Sequence, residues 1–389
     1  MKAIISGGGS GGHIFPAIAI ANAIKRRWPD ADILFIGAEG RMEMEKVPAA
    51  GYRIEGLPID GLQRKLTLAN IKRNLQLPMK VIKSQKMVRN IISSFNPDIV
   101  VGVGGYASEP TLKSAAKMGY KTVLQEQNSY AGLTNKLLAK DAQIICVAYE
   151  GMERFFPAEK IVFTGNPVRK DIEELRATHE EGCAAFEVDS NKKVVLSVGG
   201  SLGARSINTM ILNHLLFFKE NNIQIIWQTG KWMYEEARQA VEKASVQQWV
   251  KVHQFISKMD LAYAAADAVI SRAGAIAISE LCLVGKPMIL IPSPNVAEDH
   301  QTKNALALVN KGAALMVRDD ECNSKGLLLL KEMLHSSDQQ ARMSEACRKM
   351  GVRGAADKIA EQISKVVNNE PNQSQGPIDP VDKIFNFGS

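Results

Sequence analysis

Ser6-Gly7-Gly8-Gly9-Ser10-Gly11-Gly12-His13 is the stretch on which the fold turns. It follows a short apolar run, Ala3-Ile4-Ile5, and precedes Ile14-Phe15-Pro16-Ala17-Ile18-Ala19-Ile20-Ala21. That order reads as strand, glycine loop, helix. Pro16 fits the first turn of the helix, where a missing N–H costs nothing. Glycines let a ligand approach the backbone, and a helix start offers unpaired N–H groups and partial positive charge. The natural guest is a phosphate, or a carbohydrate carrying one. Gly7, Gly9 and Gly12 fit G-x-G-x-x-G, a pattern that a bare strand-to-helix turn can also show. Five glycines in six positions exceed what a turn needs. No Gly-Lys-Ser/Thr follows, which excludes a Walker A loop. A dinucleotide fold wants an acidic residue roughly 20 positions on. The second strand reads as Ile33–Gly37, and Glu39 lies late for that role.

With 389 residues, 46% of them apolar, the chain has room for two domains with sizeable cores. No apolar run is long enough to span a bilayer, and no leader is expected. The five cysteines (146, 183, 282, 322, 347) include no C-x-x-C and read as reduced, buried thiols of a cytosolic protein. Six scattered histidines give no zinc pattern, so no metal site is expected. The net charge of +7 is uneven: residues 1–170 carry +10 and the remainder −3. A basic first half implies an anionic partner there.

Strand-length apolar runs alternate with amphipathic stretches, the signature of a parallel sheet flanked by helices. Strands are expected at 2–6, 33–37, 99–103, 122–126, 143–147 and 161–164. A polar helical stretch follows at 171–182, and the pattern restarts at Lys192–Val198. Gly199-Gly200-Ser201-Leu202-Gly203-Ala204-Arg205 then echoes the first loop, with a helix expected from Ser206 to Leu216. Later strands are expected at 223–228, 251–254, 268–271, 287–291 and 314–317. The fold class is therefore α/β, with two doubly wound, Rossmann-like domains facing a cleft. Their expected bounds are 1–168 and 169–345. A C-terminal helix over 346–367 is expected to pack back on the first domain, and 368–389 to form a mobile tail.

Between Gly61 and Pro97 there is no acidic residue but eight basic ones, among them Lys72, Arg73, Lys80 and Lys83, interleaved with Leu75 and Met79. A solvated basic face explains this, as does a surface that sits on anionic lipid. Nucleic acid is disfavoured, since no aromatic residue occurs there before Phe95.

A third glycine loop, Gly102-Val103-Gly104-Gly105-Tyr106, ends another strand, and Gln125-Glu126-Gln127-Asn128 ends the next. Arg272-Ala273-Gly274-Ala275 opens a helix at a strand end, a second ready phosphate site. Glu280, about six residues inside that helix, has the chemistry to accept from a ribose diol. Gln301 and Asn304 fall one turn apart on one face, and amides at that spacing suit sugar hydroxyls.

These stretches, with Gly165-Asn166-Pro167-Val168-Arg169 and Asp299-His300-Gln301, together resemble the MurG family from residue 2 to about 365. Its members are inverting N-acetylglucosaminyltransferases of peptidoglycan synthesis with the GT-B glycosyltransferase fold. The resemblance implies transfer of GlcNAc from UDP-GlcNAc to the 4-hydroxyl of MurNAc in lipid I, an undecaprenyl-diphosphate-linked pentapeptide. It implies that the second domain holds the donor. Uracil would meet the backbone at Ile256 with Arg169 nearby, and Glu280 would hold the ribose. Ser201 and the helix after Gly274 would hold the diphosphate, and Gln301 and Asn304 would read the sugar. Ser10, Gly11, Gly12 and Asn128 are further donor contacts on this reading. Lipid I would lie on the first domain, its diphosphate against Gly7–His13 and Gly104–Tyr106, with Gly9, Ser10, Gly104, Gly105, Tyr106 and Asn135 in contact. The basic stretch would rest on anionic lipid at the cytoplasmic face of the inner membrane, making the protein peripheral, with cell-wall and division proteins as further partners. Some members have Thr at the position of Ser10, and a His often stands where Gln125 does here.

For the chemistry, His13 is the first candidate for the general base and Glu126 the alternative, with Tyr106 placing the acceptor. No cofactor is expected, because UDP-GlcNAc is a substrate. Three rivals are weighed: a UDP-GlcNAc epimerase sharing the two-domain layout, a nicotinamide-linked dehydrogenase, and a non-enzymatic membrane module.

Overall fold

The computed structural model describes residues 1–9, 11–60, 68–200 and 202–370, with their side chains except at 68–74, 76 and 297. Thirteen strands form two wholly parallel sheets among these residues. The first sheet contains β1 (Lys2–Ser6), β2 (Asp32–Ala38), β3 (Arg53–Leu57), β4 (Ile99–Gly102), β5 (Thr122–Glu126), β6 (Ile144–Val147) and β7 (Ile161–Phe163). Their order across the sheet is β3-β2-β1-β4-β5-β6-β7. The second sheet contains β8 (Lys193–Val198), β9 (Ile223–Gln228), β10 (Val250–His253), β11 (Ala268–Ser271), β12 (Met288–Leu290) and β13 (Leu315–Met316), in the order β10-β9-β8-β11-β12-β13.

Both orders place the first strand of the sheet centrally and wind outward on either side, which is the doubly wound arrangement. Ile4 pairs with Leu34 on one side and Val100 on the other; in the second sheet, Leu196 pairs with Ile226 and Val269. All of these side chains are buried or nearly so, as expected where helices cover both faces of a parallel sheet.

The chain divides into two compact units. Of the described residues, the first takes those within 1–126, 133–164 and 357–370, and the second those within 127–132 and 165–356. The second unit's core gathers Trp227, Tyr263, Phe218 and Met210 around β8, β9 and β11.

Four local expectations change. The strand β3 was not expected: Arg-Ile-Glu-Gly-Leu has no apolar run, and it forms as an edge strand by pairing with β2. The first helix runs Gly11–Arg27, so buried Pro16 lies inside it and not in its first turn. That proline removes the amide that would bond the Gly12 carbonyl. The polar stretch 171–182 splits into short helices at Lys170–Glu173 and His179–Ala185, the second started by a Thr178–Glu181 capping box. Residues 346–367 are not one helix. Helix Ser337–Met350 ends before Gly351, and a new helix begins at Ala355 after Gly354, whose φ is +69°. The expected tail from 371 lies outside the described residues.

Candidate functional site

In a doubly wound sheet the ligand crevice opens beyond the carboxyl ends of the two strands where the winding reverses. In the first unit these are β1 and β4, so residues 7–9 and the loop 103–107 meet there. In the second they are β8 and β11, followed by residues 199–200 and 202–204 and by the loop 272–274.

The first pair of loops is packed backbone to backbone. Gly105 has φ +90°, and a Cβ on it would fall on the Gly8 carbonyl. Ser108 Oγ lies 2.7 Å from the Ser6 carbonyl and 2.9 Å from that of Gly104, pinning both loops to the helix Ser108–Lys117. The Tyr106 ring, half exposed, lies 3.7 Å from where a Gly9 Cβ would be.

His13 Nδ1 is 3.0 Å from the Gly8 carbonyl. A carbonyl only accepts, so Nδ1 carries the proton and Nε2 the lone pair of the neutral ring. Burial holds the His13 imidazole below the ordinary histidine range; the Glu126 and Glu43 carboxylates and the Gly8 contact pull it back up in part. Glu126 itself is buried at the end of β5 and accepts from Asn135 Nδ2 at 2.9 Å. The other Asn135 donor contact is the Gln125 carbonyl at 3.1 Å.

In the second unit the loop after β8 is packed against the end of β9. Gly203 has φ +79°, and a Cβ on it would strike the Thr229 carbonyl. Gln228, at the end of β9, donates to the Gly200 carbonyl at 3.0 Å and accepts from the Ile256 amide at 2.8 Å. Helix Ala275–Val284 starts directly after Gly274, where a Cβ would meet open space. Its first-turn N–H groups form the open end of a ten-residue dipole.

Glu280 lies in that helix, nearly buried. Tyr263 donates to its Oε2 at 3.0 Å, and Arg169 Nε stands 3.5 Å from its Oε1. Burial raises the Glu280 carboxyl, and Arg169 and Tyr263 oppose the rise. Burial and the Glu280 charge push the Tyr263 hydroxyl well up, so it remains a donor. Arg272 is turned away from the loop. It bonds the carbonyls of Ile291 and Pro292 at 3.0 and 3.2 Å, Ser206 Oγ at 3.0 Å, and Asp319.

Several expected site residues are engaged with protein neighbours in this structure. Asn304 is fully buried and its amide is engaged throughout. Its oxygen accepts from Ser129 N and Oγ, both at 3.0 Å, and its nitrogen faces Asn128 Oδ1 at 3.2 Å and the Ala273 carbonyl at 3.3 Å. No group is left to read a sugar in this arrangement, and Asn128 is held in the same cluster. Gln301 Oε1 caps Ser293 N at 2.9 Å. Asn135 is buried, with its amide nitrogen on Glu126 and the Gln125 carbonyl. The Ile256 amide is already taken by Gln228, which leaves its carbonyl for a base. The Gly9 amide donates to Glu43 at 3.0 Å. Ser10 and Ser201 lie outside the described residues.

Of the expected membrane residues, Leu75 and Met79 are 77% and 72% exposed, and Ile82 joins them on the same face of helix Leu68–Phe95. Lys83 is exposed, whereas Lys80 is ion-paired to Asp60. The side chains of Lys72 and Arg73 lie outside the described ones. No helix among the described residues is long and apolar enough to cross a membrane. All five cysteines are unbridged and buried, with burial pushing Cys146 and Cys322 up to about 12.

Sequence reasoning missed Glu43, Gln228, Tyr263 and Asp319. None lies in a glycine motif: Glu43, Gln228 and Asp319 reach their loops from a neighbouring strand or helix, and Tyr263 reaches Glu280.

Comparison with known proteins adds the following. Residues 3–147 match the glycosyltransferase family 28 N-terminal domain, and 194–363 the C-terminal domain of the same family. A Parabacteroides distasonis protein is 54% identical over 95% of this chain and 99% of its own. It is named UDP-N-acetylglucosamine–N-acetylmuramyl-(pentapeptide) pyrophosphoryl-undecaprenol N-acetylglucosamine transferase. The crystal structure of Acinetobacter baumannii MurG aligns with a TM-score of 0.74 and 26% identity, over 94% of this chain and 99% of that one. A UDP-GlcNAc 2-epimerase from Neisseria meningitidis, bound to UDP-GlcNAc, aligns at 0.64 with 16% identity over 94% and 100%, a likeness of fold alone.

Proposed function

The chain belongs to the MurG family within glycosyltransferase family 28, and from that premise we propose how its residues transfer N-acetylglucosamine. It is an N-acetylglucosaminyltransferase of peptidoglycan synthesis with the GT-B fold, acting on UDP-GlcNAc and lipid I. The observation that carries this is the 54% identity to a named transferase across nearly the whole of both chains.

The donor binds the second unit. Glu280, held by Tyr263 and Arg169, keeps lone pairs for the ribose diol. The Ile256 carbonyl accepts from the base. The diphosphate rests against the loop 199–204 and the start of helix Ala275–Val284, whose dipole supplies up to ~2 kcal/mol where partly buried. Gln301 lies near the sugar end. The acceptor sugar lies on the first unit against Tyr106 and the Gly104–Gly105 turn.

His13 is the general base. The Gly8 carbonyl fixes the tautomer, so Nε2 takes the proton of the attacking hydroxyl. The hydroxyl oxygen bonds to the anomeric carbon as the bond to UDP breaks, which inverts that centre. Glu126, steadied by Asn135, stabilises the imidazolium that results. No step calls for a resident cofactor, since the helix start meets the charge on departing UDP.

The exposed face of helix Leu68–Phe95 sits on anionic lipid of the cytoplasmic leaflet, giving a peripheral protein. Cell-wall and division proteins are its proposed neighbours there.

The experiment supplies UDP-[¹⁴C]GlcNAc with and without a lipid I analogue. Label entering the lipid-linked product, with UDP released only when acceptor is present, is expected. Formation of UDP-ManNAc without acceptor would make the protein an epimerase instead.

A further inference from the structure

Arg272 stands just after β11, two residues before Gly274, yet its guanidinium is engaged with protein. Nη1 donates to the Ile291 and Pro292 carbonyls at 3.0 and 3.2 Å and to Asp319 Oδ1, and Nη2 donates to Ser206 Oγ at 3.0 Å. The Ser206 hydroxyl donates in turn to the same Asp319 Oδ1. Three side chains thus close a ring, from segments 47, 66 and 113 residues apart. Asp319 opens the turn Asp319–Glu321 that follows β13, and Ile291 and Pro292 follow β12. Ser206 lies in the first turn of the helix Arg205–Asn213, which follows β8.

The ring therefore ties two helix starts together, those of Arg205–Asn213 and Ala275–Val284. The residues before them, Ala204 and Gly274, carry no side-chain acceptor. Neither can cap its own helix, so the first-turn amides need partners from elsewhere. Two helix dipoles act on one diphosphate only while both ends keep their mutual place, because the effect falls off within a turn. The Arg272 side chain is 15% exposed and that of Asp319 28%. A guanidinium so shielded from water needs a paired charge to stay where it is, and Asp319 supplies it.

We propose that Asp319 is a positioning residue for the transfer reaction. It holds Arg272 and Ser206 so that the two helix starts converge on the donor's diphosphate and on the charge that UDP carries away. Asp319 acts through those two side chains and not by touching a substrate. The proposal rests on the reading above, in which the diphosphate lies against these loops, and it names the side chain that sets their spacing. Simple electrostatics predict the opposite sign. Removing an anion and freeing a cation near a diphosphate site would tighten the binding of UDP. Positioning predicts that the same change weakens it.

The test is calorimetric titration of the full chain with UDP, alone and against uridine, which competes for the base and ribose contacts but carries no phosphate. Wild type, Asp319→Ala and Asp319→Asn are compared. Asp319→Ala is expected to bind UDP roughly tenfold more weakly and uridine as before, which also shows that the fold survives. Asp319→Asn is expected to recover part of the loss, because its amide oxygen accepts from both donors. In Asp319→Ala, kcat with UDP-GlcNAc should fall while KM for the lipid I analogue holds. UDP affinity that rises or stays put in Asp319→Ala overturns the proposal. An equal loss for uridine and UDP also overturns it, since that marks a merely structural role. If Asp319→Ala does not fold, Ser206→Ala decides, because it cuts one link of the ring and leaves Arg272 paired. Weaker UDP with unchanged uridine then supports the proposal, and unchanged UDP overturns it. Should the wild type bind no UDP, the donor reading itself falls and the proposal with it. A wild type that binds UDP no better than Asp319→Ala sinks the proposal alone.

Discussion

His13 owes its chemistry to three neighbours that act in different ways. The Gly8 carbonyl fixes its tautomer, Glu126 and Glu43 favour its charged form, and burial opposes that form more strongly. A general base works when neutral, so activity is lost as pH falls through the His13 pKa. Because burial wins, that loss is expected below the ordinary histidine range. Glu126→Gln removes a group that raises the pKa. The acid limb of kcat/KM against pH must therefore move to still lower pH, and the plateau must fall because a weaker base remains. A limb that stays in place, or moves up, would show that His13 is not the titrating base. Asn304 makes the opposite case. Of its four contacts with Ser129, Asn128 and Ala273, all but the partly buried one to Asn128 are buried. Asn304→Ala strands those partners and should cost about 1–3 kcal/mol in a denaturant melt. Unchanged stability with only a raised KM for UDP-GlcNAc would return this residue to the sugar.

Helix Leu68–Phe95 presents Leu75, Met79 and Ile82 at i, i+4 and i+7, each at least 68% exposed, beside Lys83, Lys86 and Arg89. Such a face suits a lipid surface better than water. Each lysine there contributes about 1 kcal/mol towards anionic vesicles, so Lys83→Gln with Lys86→Gln should weaken co-sedimentation by about thirtyfold. Added salt should weaken the wild type similarly, while UDP affinity stays put. Equal binding to neutral vesicles would sink the electrostatic part of this reading. Most elements were legible in the sequence for a simple reason. A parallel strand buried on both faces needs an unbroken apolar run, and Ala3-Ile4-Ile5 or Val194-Val195-Leu196 can hardly be anything else. The strand β3 escaped because an edge strand can be half polar, with Arg53 and Glu55 exposed. The glycine loops were equally plain. What lies under them was not: Glu43 reaches Gly9 across 34 residues, and Ser129 reaches Asn304 across 175. Spacing along the chain carries no trace of such contacts. The protein contacts of Asn304 were hidden for the same reason, since a polar side chain on a helix face looks the same whether it meets ligand or protein.

The two units are not two halves of the chain. Residues 127–132 belong with the second unit, and residues 357–370 with the first. The last helix therefore belongs with the unit whose sheet began at residue 2. Asp357 is ion-paired to Arg26 at 2.6 Å, and Lys121 bonds the Val367 carbonyl at 2.8 Å. Both contacts are exposed or partly so, and such pairs contribute little. The larger share comes from Ile359, Ala360 and Ile363, all buried. Two isoleucines fully buried are worth about 3–6 kcal/mol. Set against a typical stability of about 5–15 kcal/mol, that is a large fraction. A fragment ending at residue 164 contains all seven strands of the first sheet yet lacks this helix. It is expected to melt well below the first unit of the intact chain and to bind a dye for exposed apolar surface. Adding a peptide that spans 355–370 should restore the transition in a concentration-dependent way, because a ligand that binds only the folded state stabilises it by mass action. Peptide with Ile359→Asp and Ile363→Asp should not. If the fragment melts as cooperatively and as high without the peptide as with it, the helix is an appendage and not part of the first unit's core.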